Sequence, residues 1–210
     1  MSARGFSQCE DGTLSVRKAR SCALAIFIAS ISISCSSLEV RSDLRRIDIA
    51  ENVYLVLPGA TELTATFDAT QIITADHGDK THSFEAHLEA RPGKITIVAV
   101  SAIGTVLFSI TYDGVDLQAR GVVEAQVVNA EYVLADVLLS YWEPQWLATH
   151  IDGGVLDVSA DGAARTVLRR GEAIIRIGHE TPELWKGKAE LSHLERGYAL
   201  HINTVEFADR

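Results

Sequence analysis

Alternating apolar and polar residues predict a chain built mainly of antiparallel β-strands. The alternation is strictest over residues 83–91, where every second side chain from Phe84 to Ala90 is apolar. Pro92-Gly93 and Asp113-Gly114 separate successive apolar runs, and such dipeptides favour tight turns between paired strands. The predicted strands are residues 63–67, 71–75, 83–91, 94–100, 105–112, 115–119, 155–159, 165–169, 173–178, 186–194 and 198–207.

A short helical insert interrupts the strands, because the apolar period changes after residue 129 from two to between three and four. Asn129 can cap a helix that extends to about Trp142, and Pro144 permits a second short helix to about Thr149. Strand patterning resumes at Val155. This order predicts a mainly β (α+β) fold in which one strongly curved sheet has helices against one face.

The first 34 residues have the pattern of a secretion signal. Arg17, Lys18 and Arg20 precede an uncharged and mostly apolar run over residues 21–34, and Cys35 follows that run directly. The run is shorter than the roughly 20 apolar residues that a bilayer span needs. Three interpretations stay open: a lipid-modified Cys35, an ordinary cleaved signal that leaves Cys35 free, and an uncleaved anchor.

The position of Cys35 resembles the lipobox of bacterial lipoproteins. Ser34 has the small side chain expected before the cysteine, whereas Ser32 stands where that family usually has leucine. The resemblance implies cleavage before Cys35, acylation of this residue, and an anchor in the outer membrane that faces the periplasm. Several acyl chains on one residue anchor stably, since each buried methylene contributes about 0.8 kcal/mol. The predicted organisation is a signal peptide at 1–34, the lipidated Cys35 with a polar tether at 35–51, and a folded domain at 52–207.

The charge balance argues against a nucleic-acid partner. The chain has 19 basic and 28 acidic residues, and the segment before Cys35 holds four and two of these, so the remainder has a net charge of −11. Such a surface repels phosphate backbones. Arg165, Arg169, Arg170 and Arg176 are expected to form a local basic surface patch that protects a sheet edge, and contact with an acidic partner or with lipid headgroups stays open as an alternative.

No sequence motif points to catalysis, a metal or a cofactor. The patterns G-x-S-x-G, H-E-x-x-H and C-x-x-C and the phosphate-binding loop do not occur. His77, His82 and His87 are five residues apart, so an extended chain places them on alternating faces. We therefore expect a protein that is not an enzyme and has no metal site. His179, His193 and His201, each alone on a separate strand, are expected to be solvated.

Several segments resemble the LolA/LolB superfamily of periplasmic lipoprotein carriers and their outer-membrane receptor. The resemblance spans residues 52–207 and rests on four stretches: residues 101–107, residues 113–117, the helix ending at Tyr141-Trp142, and Trp146-Leu147. The chain is also similar to a group of LolB-like bacterial lipoproteins, often encoded beside aryl polyene or fatty-acid-type biosynthesis genes, through Leu57-Pro58-Gly59 and the closing residues 197–200. This implies an open antiparallel half-barrel whose helices cover an apolar cavity for acyl chains.

The resemblance gives the apolar face of the strands a candidate role in binding. Its predicted cavity residues are Phe84, Leu88, Ile97, Phe108, Ile110, Tyr112, Leu138, Trp142 and Trp146. The implied partners are an acyl chain, a lipid or a lipoprotein cargo, the membrane through the lipid anchor, and a LolA-like periplasmic carrier. Two alternatives stay open: these residues only form the core, or the face holds a protein partner in a scaffold or assembly lipoprotein.

Overall fold

Thirteen strands and two helices make up the part of the chain that this computed structural model describes, residues 46–121 and 129–210. The predicted signal segment and Cys35 lie outside the described residues. In chain order the elements are β1 (Arg46–Ala50), β2 (Val53–Val56), β3 (Phe67–His77), β4 (Lys80–Arg91), β5 (Lys94–Val100), β6 (Val106–Tyr112), β7 (Leu117–Gly121), α1 (Ala130–Tyr141), α2 (Pro144–His150), β8 (Ile151–Asp152), β9 (Val155–Val158), β10 (Ala164–Arg169), β11 (Glu172–His179), β12 (Lys188–His193) and β13 (Tyr198–Asp209).

Ten of these strands form one open antiparallel sheet in the order β7-β6-β5-β4-β3-β13-β12-β11-β10-β9. Strand β13 lies in the middle and joins two meanders, one on each side. Strands β1, β2 and β8 form a separate small sheet. The predicted fold class is therefore confirmed: the protein is mainly β, with a large open antiparallel sheet and two short helices.

One face of the large sheet carries the core, and we call it the inner face. In β5 the side chains of Ile95, Ile97 and Ala99 are buried, whereas the residues between them are more exposed. The same alternation holds in β4 and β6. Register shifts near Ala99 and Val167 and after Thr204 mark bulges, and bulges bend the strands that contain them.

The folded part begins earlier than predicted. Strand β1 starts at Arg46, and its Ile47 and Ile49 are 0% and 1% exposed. The tether boundary at residue 51 is therefore wrong, because residues 46–50 belong to the core. Ile47 and Ile49 alternate with Arg46 and Asp48, which is the pattern of a strand. The pattern is only five residues long and adjoins a polar segment, so it was assigned to the tether.

The long loop between β2 and β3 packs against one end of the sheet. The Tyr112 hydroxyl donates to Pro58 O at 2.7 Å, and Gly93 N donates to Leu63 O at 2.7 Å. Gly114, in the β6–β7 turn, has a φ of +86°, and a Cβ there would lie 2.2 Å from the backbone nitrogen of Ala60. Only glycine fits this approach. The strand predicted at 63–67 is wrong, because residues 63–66 belong to this loop. The strand predicted at 71–75 is the middle of one longer strand, β3, which begins at Phe67.

Candidate functional site: the inner face and helix α1

The nine residues predicted to contact an apolar ligand lie together in one core. Six are on the inner face of the sheet, Phe84, Leu88, Ile97, Phe108, Ile110 and Tyr112, and three are in the helical region, Leu138, Trp142 and Trp146. Seven are buried, and Phe84 and Trp146 are half-buried. In this structure they pack with their neighbours, and their contact with a ligand stays a prediction.

Helix α1 lies enclosed within this core. Every residue from Ala130 to Tyr141 is at least half-buried, which is typical of a helix with protein on all sides. The predicted cap is confirmed, because Asn129 Oδ1 accepts from the backbone nitrogens of Glu131 and Tyr132 at 2.8 and 3.4 Å. Since α1 is enclosed, its polar groups must find partners on the strands around it.

Two basic side chains of the sheet bind the C-terminal end of α1. Arg165 on β10 donates from Nη1 to Leu139 O at 3.0 Å and to Trp142 O at 2.7 Å. His179 on β11 places Nε2 3.0 Å from Ser140 O. The last carbonyls of a helix lack partners within it and carry partial negative charge, so both contacts stabilise α1 where it ends.

These contacts overturn the predicted exposure of several basic residues. Arg165 is 1% exposed and so is not part of a surface patch, and His179 is buried beside it. His193 is also buried, with Nε2 2.7 Å from Ile49 O of β1. Burial lowers the pKa of both histidines, and for His179 the nearby Arg165 charge lowers it further. The burial of these groups depends on carbonyls that are distant in sequence.

A carboxyl–phenol pair holds the middle of α1 against β13. The Tyr198 hydroxyl lies 2.9 Å from both carboxyl oxygens of Asp136. Burial raises the pKa of Asp136 to about 7, although Tyr198 and the Arg196 charge act in the opposite direction. Arg196 itself stacks over the Tyr132 ring, 3.6 Å from the ring centroid. Sequence reasoning missed Asp136, yet it is the single charged residue between Val133 and Trp142.

An aromatic stack closes the end of the inner face near the C-terminus of α1. The Tyr141 ring lies on Trp185 with centroids 3.8 Å apart, and Trp185 stacks in turn on Phe207 at 5.4 Å. Gln71 Nε2 donates to the Tyr141 hydroxyl at 2.8 Å. Burial raises the pKa of Tyr141 to about 12, so this hydroxyl keeps its proton over the physiological range.

Several apolar side chains of the inner face and of α1 are only half-buried. Ile73 on β3 pairs across the sheet with Phe84 on β4 and with Ile202 on β13. Ile73, Phe84 and Leu200 are half-buried inner-face residues, and so is Val137 on the helix. We call these four residues the apolar margin. Their side chains retain apolar surface that is not fully covered.

Two surface cavities described in the structure have polar linings. One, of about 580 Å³, is lined by Glu51, Asn52, Gly153, Arg169, Arg170 and Glu172. The other, of about 270 Å³, follows the outer face and is lined mainly by charged and hydroxyl side chains. Charged walls disfavour an alkyl chain, so neither cavity suits an apolar ligand, and they share only Leu88 with the predicted cavity residues.

Within 46–121 and 129–210, His, Cys, Asp and Glu form no group of three or more that could hold a metal ion. Among the same residues, neither helix has the length and apolar character required for a membrane crossing.

Comparison with known proteins gives one family and several distant structures. The family model that matches covers residues 68–206 and is described as "Protein of unknown function (DUF3261)". The comparison with curated proteins gives no match.

Three solved structures are similar to this chain at low identity. A LolA superfamily protein from Nitrosomonas europaea is 10% identical, with 72% of this chain and 90% of that chain covered and a TM-score of 0.40. A domain described as an outer membrane lipoprotein-sorting protein, from Vibrio parahaemolyticus, is 9% identical, with 69% and 85% covered and a TM-score of 0.35. A DUF1329 family protein from Desulfovibrio piger is 10% identical, with 70% and 86% covered and a TM-score of 0.33. These likenesses are too distant to carry an argument about function.

Proposed function

This chain belongs to the DUF3261 family, and we propose that it is an outer-membrane lipoprotein that binds an acyl chain or another apolar ligand between the sheet and α1. It faces the periplasm, is anchored through Cys35, and acts without covalent chemistry in the transfer or localisation of lipids or lipoproteins. Its cargo is delivered or received by a membrane or by a periplasmic carrier of the LolA kind.

The observation that carries this proposal is the apolar inner face with α1 enclosed against it. An open sheet with one apolar face must keep that face covered, and here the cover is a helix and a small sheet. The helix is held by discrete polar contacts, at Asp136–Tyr198 and at its C-terminal end. A helix held in this way can be displaced by a ligand that covers the same surface.

The energetics suit a transient complex. Burial of apolar surface contributes about 25 cal/mol per Å², so an acyl chain that replaces part of α1 gains its own burial and loses the contacts that the helix made. The apolar margin, Ile73, Phe84, Val137 and Leu200, is where an entering chain finds surface that is not yet fully covered. A small net gain permits the cargo to be passed on.

A matched pair on β3 tests the binding face. Ile73 lies on the inner face, whereas its neighbour Ile72 lies on the outer face with 37% exposure. We expect Ile73→Thr to weaken binding of a fluorescent palmitate analogue and Ile72→Thr to leave it unchanged. If both variants bind as the wild type does, or if the wild type does not bind the analogue, binding at the inner face is wrong.

The anchor is tested separately at Cys35. The apolar segment and basic cluster before this residue support export, and the net charge of −11 for the rest of the chain makes electrostatic adsorption to anionic lipid unfavourable. We expect Cys35→Ala to move the protein from the membrane fraction to the soluble fraction and to abolish incorporation of labelled palmitate. A variant that stays in the membrane fraction, beside a wild type without label, contradicts acylation.

The sheet edges favour a second candidate function, a non-enzymatic scaffold that binds a protein partner. Strands β7 and β9 end the ten-stranded order, and Val155 on β9 is 64% exposed. An edge strand offers unpaired backbone groups to which a partner can add a strand. Crosslinking in intact cells that recovers one stoichiometric protein partner, with no lipid bound to the purified protein, favours this candidate over the first.

A further inference from the structure

Three buried polar atoms without hydrogen-bond partners belong to side chains around the C-terminal end of α1. They are Ser140 Oγ, Arg165 Nε and His179 Nδ1. Arg165 binds the carbonyl of Leu139 and His179 binds the carbonyl of Ser140, so the three side chains surround the same turn of the helix. Unpaired buried polar atoms are costly and rare in folded proteins. Three such atoms on side chains around one helical turn indicate a site for a polar group.

Arg165 has one unused edge. Its Nη1 donates to the carbonyls of Leu139 and Trp142, while Nε makes no hydrogen bond. Within residues 46–121 and 129–210 it forms no ion pair, and Glu143 acts on it only as a nearby charge. The Nε–Nη2 edge of a guanidinium binds two oxygens of a carboxylate or phosphate side by side. A buried cation with this edge free is suited to an anionic oxygen.

His179 and Ser140 add an acceptor and a hydroxyl to the hydrogen-bonding groups of this cluster. A backbone carbonyl can only accept, so His179 Nε2 carries the hydrogen that it donates to Ser140 O. Nδ1 of the neutral ring is then an acceptor, and it lies near the backbone of Leu184 without a hydrogen bond of good geometry. Ser140 Oγ can donate or accept. The three atoms together present a donor, an acceptor and a hydroxyl.

We propose that this cluster binds the phosphate monoester headgroup of a single-chain or double-chain lipid. The anionic phosphate oxygens accept from the free edge of Arg165, the remaining P–OH donates to His179 Nδ1, and Ser140 Oγ bonds to either. The attached acyl chain then lies along the apolar inner face. The inference rests on the proposed function, which it narrows from an apolar ligand to an acidic lipid.

The cluster is bordered by a segment outside the strands, whose opening breaks the ring contacts of Trp185 with Tyr141, Phe67 and Phe207. Residues 181–186 lie beside it, with Leu184 near His179 and Trp185 stacked on Tyr141. The hydrogen bonds that begin at Thr181 and at Lys186 N end within the same segment, at Glu183 O and Lys186 O. Movement of this segment breaks no strand pairing, because β12 begins only at Lys188.

A matched pair of lipids tests the headgroup. Native mass spectrometry of the full chain, released from detergent micelles, measures binding of monopalmitoylglycerol 3-phosphate and of monopalmitoylglycerol, which differ only in the phosphate. We expect the phosphate lipid to bind about 10-fold more tightly or better, as for a hydrogen bond to a charged group. Inorganic phosphate is the third probe and distinguishes a lipid headgroup from a free anion.

Four variants locate the site. Arg165→Gln removes the charge, His179→Gln keeps an amide donor for Ser140 O but loses Nδ1, and Ser140→Ala removes only the hydroxyl. We expect each to reduce the preference for the phosphate lipid. Arg176→Gln is the control, because Arg176 is an exposed residue on the outer face of β11. If Arg165→Gln does not fold, the mild change Ser140→Ala still decides the question.

The outcomes separate this inference from the proposed function. If the wild type binds both lipids equally, or if the preference survives in His179→Gln and Ser140→Ala, the headgroup site is wrong and apolar binding stands. If neither lipid binds, both proposals fail. If inorganic phosphate binds alone with the same dependence on the variants, the anion site is correct but the lipid source is wrong.

Discussion

Replacing Asp136 with asparagine should stabilise the protein at pH 8. The stabilisation should be much smaller at pH 4.5. The carboxyl has a pKa of about 7 in the folded protein against an ordinary value of 3.8. Below pH 3.8 the group is protonated in both the folded and the unfolded chain. As the pH rises from 3.8 to about 7, only the unfolded chain releases its proton, so this group progressively lowers the free energy of unfolding.

The size of the effect follows from the two pKa values. Their separation corresponds to about 4 kcal/mol of lost stability once the pH is above 7. This is an upper bound, because Asp136 is half-buried as a residue and water that reaches part of it screens the charge. Asparagine does not titrate, and its Oδ1 can still accept from Tyr198. The stability difference between variant and wild type should therefore grow by up to about 3 kcal/mol between pH 4.5 and pH 8, because about 1 kcal/mol of the full effect is already present at pH 4.5.

Urea unfolding at several pH values measures this difference, with tryptophan fluorescence as the signal. Trp142, Trp146 and Trp185 all lie in or beside the core. Subtracting the wild type from the variant at each pH removes the contributions of other titrating groups. Asp157→Asn, on the exposed side of edge strand β9, is the control. A difference that is the same at pH 4.5 and pH 8 would refute the reasoning and mean that Asp136 is solvated.

Three further substitutions test packing and polar contacts by the same unfolding measurement. Gly114→Ala should lower the free energy of unfolding by more than about 2 kcal/mol, because the new Cβ would lie 2.2 Å from the backbone of Ala60. Gly104→Ala, with a similar φ of +78° but open space around it, should lower it by about 1 kcal/mol through backbone strain alone. Equal losses would mean that the loop around Ala60 moves to accommodate the methyl group. Ser140→Ala should stabilise by about 1 kcal/mol in the absence of ligand, since it removes an unpaired hydroxyl from a helix; a loss of stability would mean that the hydroxyl has a partner in the apo protein.

The local features of the fold could be predicted from the sequence because they depend on nearby residues. Alternation located β5 to the residue, and Asn129 marked the start of α1 correctly. Strand β1 was missed because five residues give too short a pattern. Its burial comes from contacts with distant parts of the chain, such as that between Ile49 O and His193.

The polar part of the candidate site could not be predicted in the same way. Arg165 and His179 look like surface residues in the sequence, since a charged or titratable side chain is rarely buried without a partner. Their partners are carbonyls of α1, which come into reach only when the helix lies across the sheet. Asp136 offered a signal, as the one acid in the apolar run between Val133 and Trp142, but its partner Tyr198 is 62 residues away.

The central place of β13 has a consequence for how the protein is made. The strand pairs with β3 along its whole length, up to Asp209 opposite Phe67, and with β12 over residues 198–203. Until residues 198–209 have been synthesised, β3 and β12 are unpaired edges of two separate meanders. Such non-local closure is slow, and open edges invite aggregation. The nascent chain should therefore remain incompletely folded, and should depend on chaperones, until residues 198–209 have been synthesised.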